Sequence, residues 1–194
     1  EDYPSSEKFS HNNGNVETEL YDEGIYVGYR YFDTFEVPVR YGFGYGLSYT
    51  DFEITGCALK AVSAEKIRVT ATVRNTGNVS GKEVVQVYAS LPGGILEKEA
   101  HRLAAYAKTN ELKPGEAQEV TMEVKMDGLT SYDEKRAAWI LESGFYGIWV
   151  GNSLASAKLC GGIKLDQEVI RRQVRNLFPL KQELEEISQE ASKT

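Results

Sequence analysis

The sequence predicts a mainly β protein: a two-layer antiparallel β-sandwich with an irregular N-terminal segment and a C-terminal helix. Apolar and polar residues alternate over residues 67–74 and again over 120–126, and a period of two indicates a strand with one buried face. Residues typical of turns separate such stretches at short intervals, and no helix of about 10 residues fits inside residues 51–165. Packing two sheets face to face buries strands of this kind.

About seven short strands fit this central region, which is typical of an immunoglobulin-like or fibronectin-like sandwich. Phe52 begins the first strand, and Gly56 within it marks a bulge that shifts the inward face. Gly161 and Gly162 mark a bulge or bend in the last strand. Seven residues with period-two spacing are expected in the core: Val69, Val73, Val87, Val120, Val124, Ile148 and Val150.

The flanking regions differ in composition from the centre. Residues 1–50 are rich in Gly, Tyr and Asn, whereas residues 166–194 are charged. After Pro179, apolar residues recur every three or four positions, which predicts an amphipathic helix over 180–191. Its apolar stripe is Leu180, Leu184, Ile187 and Ala191. We therefore expect three parts: a terminal segment with a linker (1–50), the sandwich (51–165), and a linker with a helix (166–194).

Composition excludes several functions. Lys plus Arg is 22 and Asp plus Glu is 29, for a net charge of −7, so phosphate backbones are repelled and nucleic acid is not expected as a partner. No apolar run reaches the roughly 18 residues that cross a bilayer, and residues 1–4 do not resemble a secretory signal, so no membrane partner is expected. The compartment stays open, with a slight preference for the cytoplasm.

The two cysteines, Cys57 and Cys160, lie in apolar, strand-like surroundings. Two buried free thiols are the favoured interpretation, and a disulfide joining the first and last strands is the main alternative. Without nearby histidines they cannot form a zinc site of any usual spacing.

Catalytic constellations are not found in the sequence. Asp133 and Glu134 are adjacent, so in an extended segment they point apart, and we interpret them as solvated charges. His11 and His101 lie in polar stretches without a nucleophile and are expected on the surface. The glycine-rich stretch 42–46 lacks the Lys and the helix of a phosphate loop. We expect no catalytic residue, no cofactor and no metal.

Aromatic residues crowd into residues 21–52. Sugars stack on aromatic rings, but an aromatic segment without a period normally packs against a neighbouring domain, which is the favoured interpretation. The candidate residues for interdomain packing are Tyr31, Phe32, Phe43, Tyr45 and Tyr49. For Trp139 and Trp149 a core or interface role is favoured over a binding platform.

Several long motifs resemble family 3 glycoside hydrolases. Residues 21–33 are similar to the end of that family's α/β sandwich domain, and residues 43–52, FGYGLSYTDF, resemble the signature that follows it. Further motifs match the family's fibronectin type III-like domain in order and spacing: 73–78, 81–88, 112–116 and 144–151.

The resemblance implies a parent enzyme of the β-glucosidase type, which hydrolyses β-linked oligosaccharides or aryl glucosides with retention. In the family, the nucleophile is an Asp on a (β/α)₈ barrel, and the acid/base is a Glu on the α/β sandwich, upstream of residues 43–52; this chain covers neither. The implied function is therefore a non-catalytic accessory region that braces these two domains, its partners. A free-standing carbohydrate-binding or adhesion module is the alternative. Residues 166–194 resemble a linker into a barrel that follows, as in family members with permuted domain order.

Overall fold

The structure, a computed structural model, describes residues 21–178 and 184–189. These ranges contain one α-helix and ten β-strands. The elements are α1 (Tyr29–Thr34), β1 (Phe52–Ser63), β2 (Lys66–Asn75), β3 (Val84–Ser90), β4 (Arg102–Lys108), β5 (Ala117–Lys125), β6 (Ser131–Asp133), β7 (Ala138–Leu141), β8 (Gly144–Gly151), β9 (Lys158–Leu165) and β10 (Val169–Gln173). Within the described ranges, no helix has the length and apolar character to cross a membrane.

Two antiparallel sheets form the predicted sandwich. One sheet has the strand order β1-β2-β5, and the other has the order β4-β3-β8-β9. A third, minor sheet has the order β10-β7-β6. Strands that are neighbours in the chain pair through short turns, as in β1 with β2 and β8 with β9, and this arrangement suits sequences that alternate with period two.

The core lies between the two main sheets. All seven residues predicted there are buried, with at most 6% of their surface exposed, so the predicted register is confirmed. Val85 to Ala89 of β3 are all buried, because the N-terminal segment covers the face of β3 that points away from the core.

Both predicted bulges are present. The pairing of β1 with β2 shifts register between Thr55 and Ala58, and Gly56 between them has a φ of 63°, a conformation that favours glycine. The pairing of β8 with β9 shifts between Ile148 and Trp149, opposite Gly161. Each bulge re-aims the side chains that follow it.

The cysteines form a disulfide, so the favoured prediction of free thiols is wrong. Cys57 of β1 and Cys160 of β9 are bonded with their Cα atoms 5.8 Å apart, although 103 residues separate them in the chain. β1 and β9 are the edge strands of opposite main sheets, and the packing of those sheets brings the two edges together. The spacing of two cysteines carries no information about that contact.

The C-terminal region also requires correction. Residues expected to be linker form β10, which pairs with β7 and so extends the minor sheet. Arg171 of β10 binds Glu65 and Asp127, which ties this strand to the sandwich. Of the predicted helix over 180–191, residues 184–189 are described and are not helical, while 180–183 and 190–191 lie outside the described residues. The apolar positions Leu184 and Ile187 are half-buried without a helix.

Removing core volume should cost far more stability than trimming the outer face of the same sandwich. Val87 is fully buried, whereas Thr70 is half-buried on β2. We expect Val87→Ala to lower the free energy of unfolding by about 2 kcal/mol or more, because it leaves a cavity, and Thr70→Ala by a few tenths. Urea melts measure both; equal losses would contradict the register.

Reducing the disulfide should destabilise the sandwich strongly. The bond closes a loop of about a hundred residues and so limits the unfolded chain, which corresponds to about 3 to 5 kcal/mol. We expect the double variant Cys57→Ser/Cys160→Ser, or treatment with a phosphine reductant, to lower the midpoint of thermal unfolding. The reductant should have no effect on the double variant; an equal effect there would mean that it acts elsewhere.

Candidate functional site

The N-terminal segment (residues 21–51) is fastened to the loop before β4, the anchor loop (residues 91–101). Thr34 Oγ1 accepts a hydrogen bond from the backbone N–H of Ala100 at 2.9 Å. Tyr29, from the same helix, accepts one through its hydroxyl from the N–H of Leu103 at 2.9 Å. α1 thus satisfies backbone donors of the sandwich with its own side chains, which fixes its position on the anchor loop.

His101 is part of this contact and not a plain surface residue as predicted. Its Nδ1 lies 2.9 Å from Oδ2 of Asp33 on α1, and its side chain is 25% exposed. The imidazole meets the ring of Trp149 edge to face, with centroids 5.0 Å apart. The Trp149 indole in turn donates to Ser90 Oγ at 3.0 Å. His101 therefore connects α1 to β8 and β3.

A buried carboxylate lies at the centre of the contact. The side chain of Glu99 is fully buried, and Arg102 donates to both of its oxygens at 2.6 and 2.9 Å. Arg30 of α1 lies 3.7 Å away. Burial alone would raise the pKa of Glu99, but the hydrogen bonds and positive charge of Arg102 outweigh it and leave that pKa below its ordinary value. Glu99 is therefore a charged group of the anchor loop that also attracts Arg30 of α1.

A second buried pair stiffens the anchor loop. The ammonium of Lys98 binds the carboxylate of Glu142, and each side chain is only 8% exposed. Glu142 also accepts from the backbone N–H of Ile95 at 2.8 Å, and Lys98 donates to the carbonyl of Leu96 at 3.0 Å. The sequence does not predict these roles of Lys98, Glu99 and Glu142, because charged residues that alternate with others look solvated when their tertiary partners are unknown.

The described part of the C-terminal region closes over the same contact. The backbone N–H of Ile187 donates to the carbonyl of Asp22 at 2.9 Å, and the Gln189 amide donates to the carbonyl of Lys98 at 2.6 Å. Tyr26 beneath it is 1% exposed and donates its hydroxyl to Glu97. Burial, together with that hydrogen bond, raises the pKa of Tyr26, so its hydroxyl stays a donor.

The five predicted packing residues divide between two environments. Tyr31 and Phe32 are half-buried beside each other, with centroids 5.4 Å apart, and Phe43 stacks on Tyr29 at 4.1 Å. Tyr45 is 55% exposed and Tyr49 is 98% exposed. The exposed apolar residues of this stretch are called the aromatic face below: Tyr41, Phe43, Tyr45, Leu47 and Tyr49.

The acidic residues 133 and 134 form no catalytic pair. Asp133 is largely buried and binds Arg136, which also donates a backbone hydrogen bond to it; these bonds lower the pKa of Asp133. The prediction of a solvated Asp133 is thus wrong, although its function is structural. Within the part of the chain that the structure describes, no three His, Cys, Asp or Glu side chains are grouped to hold a metal.

Several known proteins are similar to this chain in sequence and in fold. A model of fibronectin type III-like domains matches residues 83–154. Beta-glucosidase A of Butyrivibrio fibrisolvens is 42% identical over 198 residues, covering 91% of this chain and 24% of the relative. An exo-alpha-(1->6)-L-arabinopyranosidase of Bifidobacterium breve is 41% identical, over 78% of this chain and 20% of that relative. A solved beta-glucosidase of Paenibacillus barengoltzii superposes with a TM-score of 0.79 at 38% identity, covering 90% of this chain and 20% of that one. The chain thus spans a quarter or less of these proteins.

Neutralising the buried carboxylate should destabilise the contact. We expect Glu99→Gln to lower the free energy of unfolding by about 3 kcal/mol at neutral pH, because Arg102 then loses its charged partner in a buried site. The matched control is Glu123→Gln, whose pair with Lys66 is exposed and screened by water, so the free energy of unfolding should change little.

The difference in the free energy of unfolding between wild type and Glu99→Gln should depend on pH. Because the pKa of Glu99 is lowered in the folded state, its stabilisation is present at neutral pH. It is lost as the pH falls below the unfolded value of about 4.3 and through the folded-state pKa. Urea melts of wild type and Glu99→Gln should therefore converge toward acid; a constant difference would contradict the assigned ionisation.

Proposed function

Because the chain belongs to the β-glucosidase-like family 3 glycoside hydrolases, we propose that it is a non-catalytic accessory region that braces the catalytic domains of such an enzyme. The observation that carries the proposal is the contact of α1 with the anchor loop, centred on Glu99, Arg102 and Arg30. The parent enzyme hydrolyses O-glycosyl bonds of β-linked oligosaccharides or aryl glucosides.

Each part of the chain has its own task in this proposal. Residues 1–50 are the end of the α/β sandwich domain with its linker, residues 51–165 are the fibronectin type III-like domain, and residues 166–194 lead toward the next part of the parent. The catalytic carboxylates belong to the (β/α)₈ barrel and to the rest of the α/β sandwich. This chain holds those two domains at a fixed distance and angle.

A rigid brace affects catalysis without touching the substrate. The nucleophile and the acid/base of a retaining glycosidase are carboxyl groups about 5 Å apart. In the proposed parent enzyme, these two groups belong to different domains. A misplacement of about 1 Å costs on the order of a hundredfold in rate. Buried charge pairs such as Glu99–Arg102 suit this function, because they have one well-defined geometry.

The aromatic face is the proposed docking surface for the remainder of the α/β sandwich domain. Tyr45, Leu47 and Tyr49 expose large apolar side chains at every second position of the sequence, and such a patch normally meets a partner. Tyr41 and Phe43 of the same face line a cavity of about 570 Å³, whose other lining groups are mainly apolar and include Tyr29, Phe32 and Leu154. The occupant is the rest of the parent, because the N-terminal segment resembles only the end of a larger domain.

The alternative of a free-standing binding module has less support. A flat row of exposed rings would favour it, but the rings of Trp139 and Tyr132 are tilted by 46°, and the indole of Trp149 is hydrogen-bonded inside the fold. These three rings form no flat platform.

A chimera tests the brace. The corresponding stretch of the Butyrivibrio enzyme is replaced by this chain, and hydrolysis of nitrophenyl β-glucoside is measured alongside thermal unfolding. We expect an active chimera that Tyr45→Ala/Tyr49→Ala destabilises and slows at least tenfold, because docking loses its aromatic contacts. The isolated chain with the same changes should unfold at an unchanged temperature, since both side chains are exposed there.

Tyr106→Ala is the matched control, because Tyr106 is 69% exposed on β4 and lies outside the aromatic face. It should leave the chimera unchanged, and the isolated chain should not hydrolyse the glucoside above a buffer blank. An active chimera that tolerates loss of both tyrosines would refute docking through this face. Turnover by the isolated chain, abolished by mutating one of its own acids, would refute the non-catalytic assignment.

A further inference from the structure

A second cavity lies between the anchor loop and the minor sheet. It has a volume of about 710 Å³, and the N-terminal segment and the described part of the C-terminal region complete its walls. No residue lines both this cavity and the one of about 570 Å³ at the aromatic face. The docking proposed for the aromatic face therefore uses none of the residues that line the second cavity.

Two aromatic rings form an apolar corner of this cavity. Tyr132 on β6 and Trp139 on β7 are cross-strand partners, so both side chains project from the same face of the minor sheet. Their ring centroids are 5.1 Å apart, and the planes of the rings meet at 46°. Trp139 is 40% exposed, and Ile95 of the anchor loop, which also lines the cavity, is 93% exposed. Large apolar side chains left open in this way are typical of a contact surface.

Two exposed carboxylates line the same cavity, those of Glu134 and Glu186. In the described part of the chain neither of them forms an ion pair, whereas Asp133 beside Glu134 is bound to Arg136. The pKa of Glu186 is raised, first by its partial burial and then by the charges of Glu134 and Asp22. The carboxylates thus lie close enough to repel each other, and no ion pair among the described residues offsets their charge.

The cations of the lining leave part of this negative charge free. Five of the described lining residues are acidic and three are cationic. Arg30 and Arg102 are both paired with Glu99, so they are committed to the contact of α1 with the anchor loop. The third cation, Lys135, can offset one of the two free carboxylates and leaves the other for a partner. The charge of the cavity therefore favours a cationic group and disfavours an anionic one.

A guanidinium group fits both the rings and the carboxylates. It is planar, it stacks on the faces of Trp and Tyr rings, and its N–H donors bind carboxylates in pairs. An ammonium group is more strongly hydrated and has no flat face to place on a ring. Asn176 binds the hydroxyl of Tyr132 and the carbonyl of Glu134, which keeps the acidic turn next to the aromatic corner. Arginine is also one of the residue types that contribute most to binding at protein interfaces.

We propose that this cavity is a second docking point of the brace and receives an arginine side chain of the parent enzyme, with its guanidinium against Trp139 and Tyr132 and beside the carboxylates of Glu134 and Glu186. The inference rests on the proposed function, because a brace between two domains needs a contact with each of them. The aromatic face serves the α/β sandwich domain, of which the N-terminal segment is the end. The arginine therefore belongs to the other domain, the (β/α)₈ barrel.

Nuclear magnetic resonance of the 194-residue chain tests the chemistry of the site. The probe is acetyl-arginine amide, and its uncharged counterpart is acetyl-citrulline amide. We expect the arginine probe to shift the indole N–H of Trp139 and to bind several-fold more tightly than the citrulline probe. The double variant Glu134→Gln/Glu186→Gln should remove this preference, because the guanidinium loses its charged partners. Phe145→Ala is the control and should bind like wild type, since Phe145 is an exposed ring on β8 outside the cavity.

The chimera tests the partner. We expect Glu134→Lys/Glu186→Lys to lower its unfolding temperature and to slow glucoside hydrolysis several-fold, because like charges then face each other across the contact. The unfolding temperature of the isolated chain should not fall, since the change removes two carboxylates that repel each other. Glu111→Lys/Glu119→Lys is the matched control, because it changes the net charge equally at two exposed positions outside the cavity, and it should leave the chimera unchanged.

Several results would overturn the proposal. One is equal binding of the two probes, or shifts away from the minor sheet; another is a chimera that tolerates the charge reversal as well as it tolerates the control. Self-association of the isolated chain that the charge reversal abolishes would overturn it too, since a second copy would then be the occupant. The brace itself is judged by Tyr45→Ala/Tyr49→Ala in the chimera, so the failure of one proposal is distinguishable from the failure of the other.

Discussion

Burial of the Glu99 carboxylate is the interaction on which the relation between the N-terminal segment and the sandwich depends. Removing a charge from water is costly, and Arg102 offsets that cost with two hydrogen bonds of fixed geometry, while Arg30 adds charge from α1. If α1 moved away, the carboxylate would lose one of its cations. The position of α1 is therefore coupled to the loop by electrostatics and not by apolar contact alone.

The sandwich beneath this contact is held together covalently where the edge strands of its two main sheets meet. Its main sheets pack through Val69, Val87 and their neighbours, and the disulfide between Cys57 and Cys160 joins the edge strands β1 and β9. An edge strand has hydrogen-bonding partners on one side only, so it frays more easily than a central strand. A covalent bond at this position keeps the first strand, and with it the linker from α1, attached to the last strand.

The described part of the surface carries an exposed apolar region, the aromatic face. The aromatic face exposes apolar side chains such as Leu47 and Tyr49, which suits a protein partner that excludes water from a wide area. In the proposed brace, docking through this face would position the catalytic domains.

The sequence by itself determined the sandwich, its core register and its family, whereas the tertiary structure decided the pairing of distant groups. Alternation over 67–74 fixes which side of β2 is buried, because the side-chain period of a strand is two. Gly56 likewise predicts the bulge of β1. The ordered motifs of residues 43–52 and 144–151 are long enough to identify relatives. Local patterns of this kind need no knowledge of other segments.

Glu99, Lys98, His101 and the two cysteines could not be placed in that way. Whether such a group is solvated, paired or bonded depends on partners tens of residues away, as with Lys98 and Glu142 or Cys57 and Cys160. In the C-terminal region the edge of β7 binds residues 169–173 as β10, and residues 184–189 lie non-helical against Asp22 and Lys98. A short amphipathic stretch has little helical stability alone, so its tertiary contacts decide its conformation.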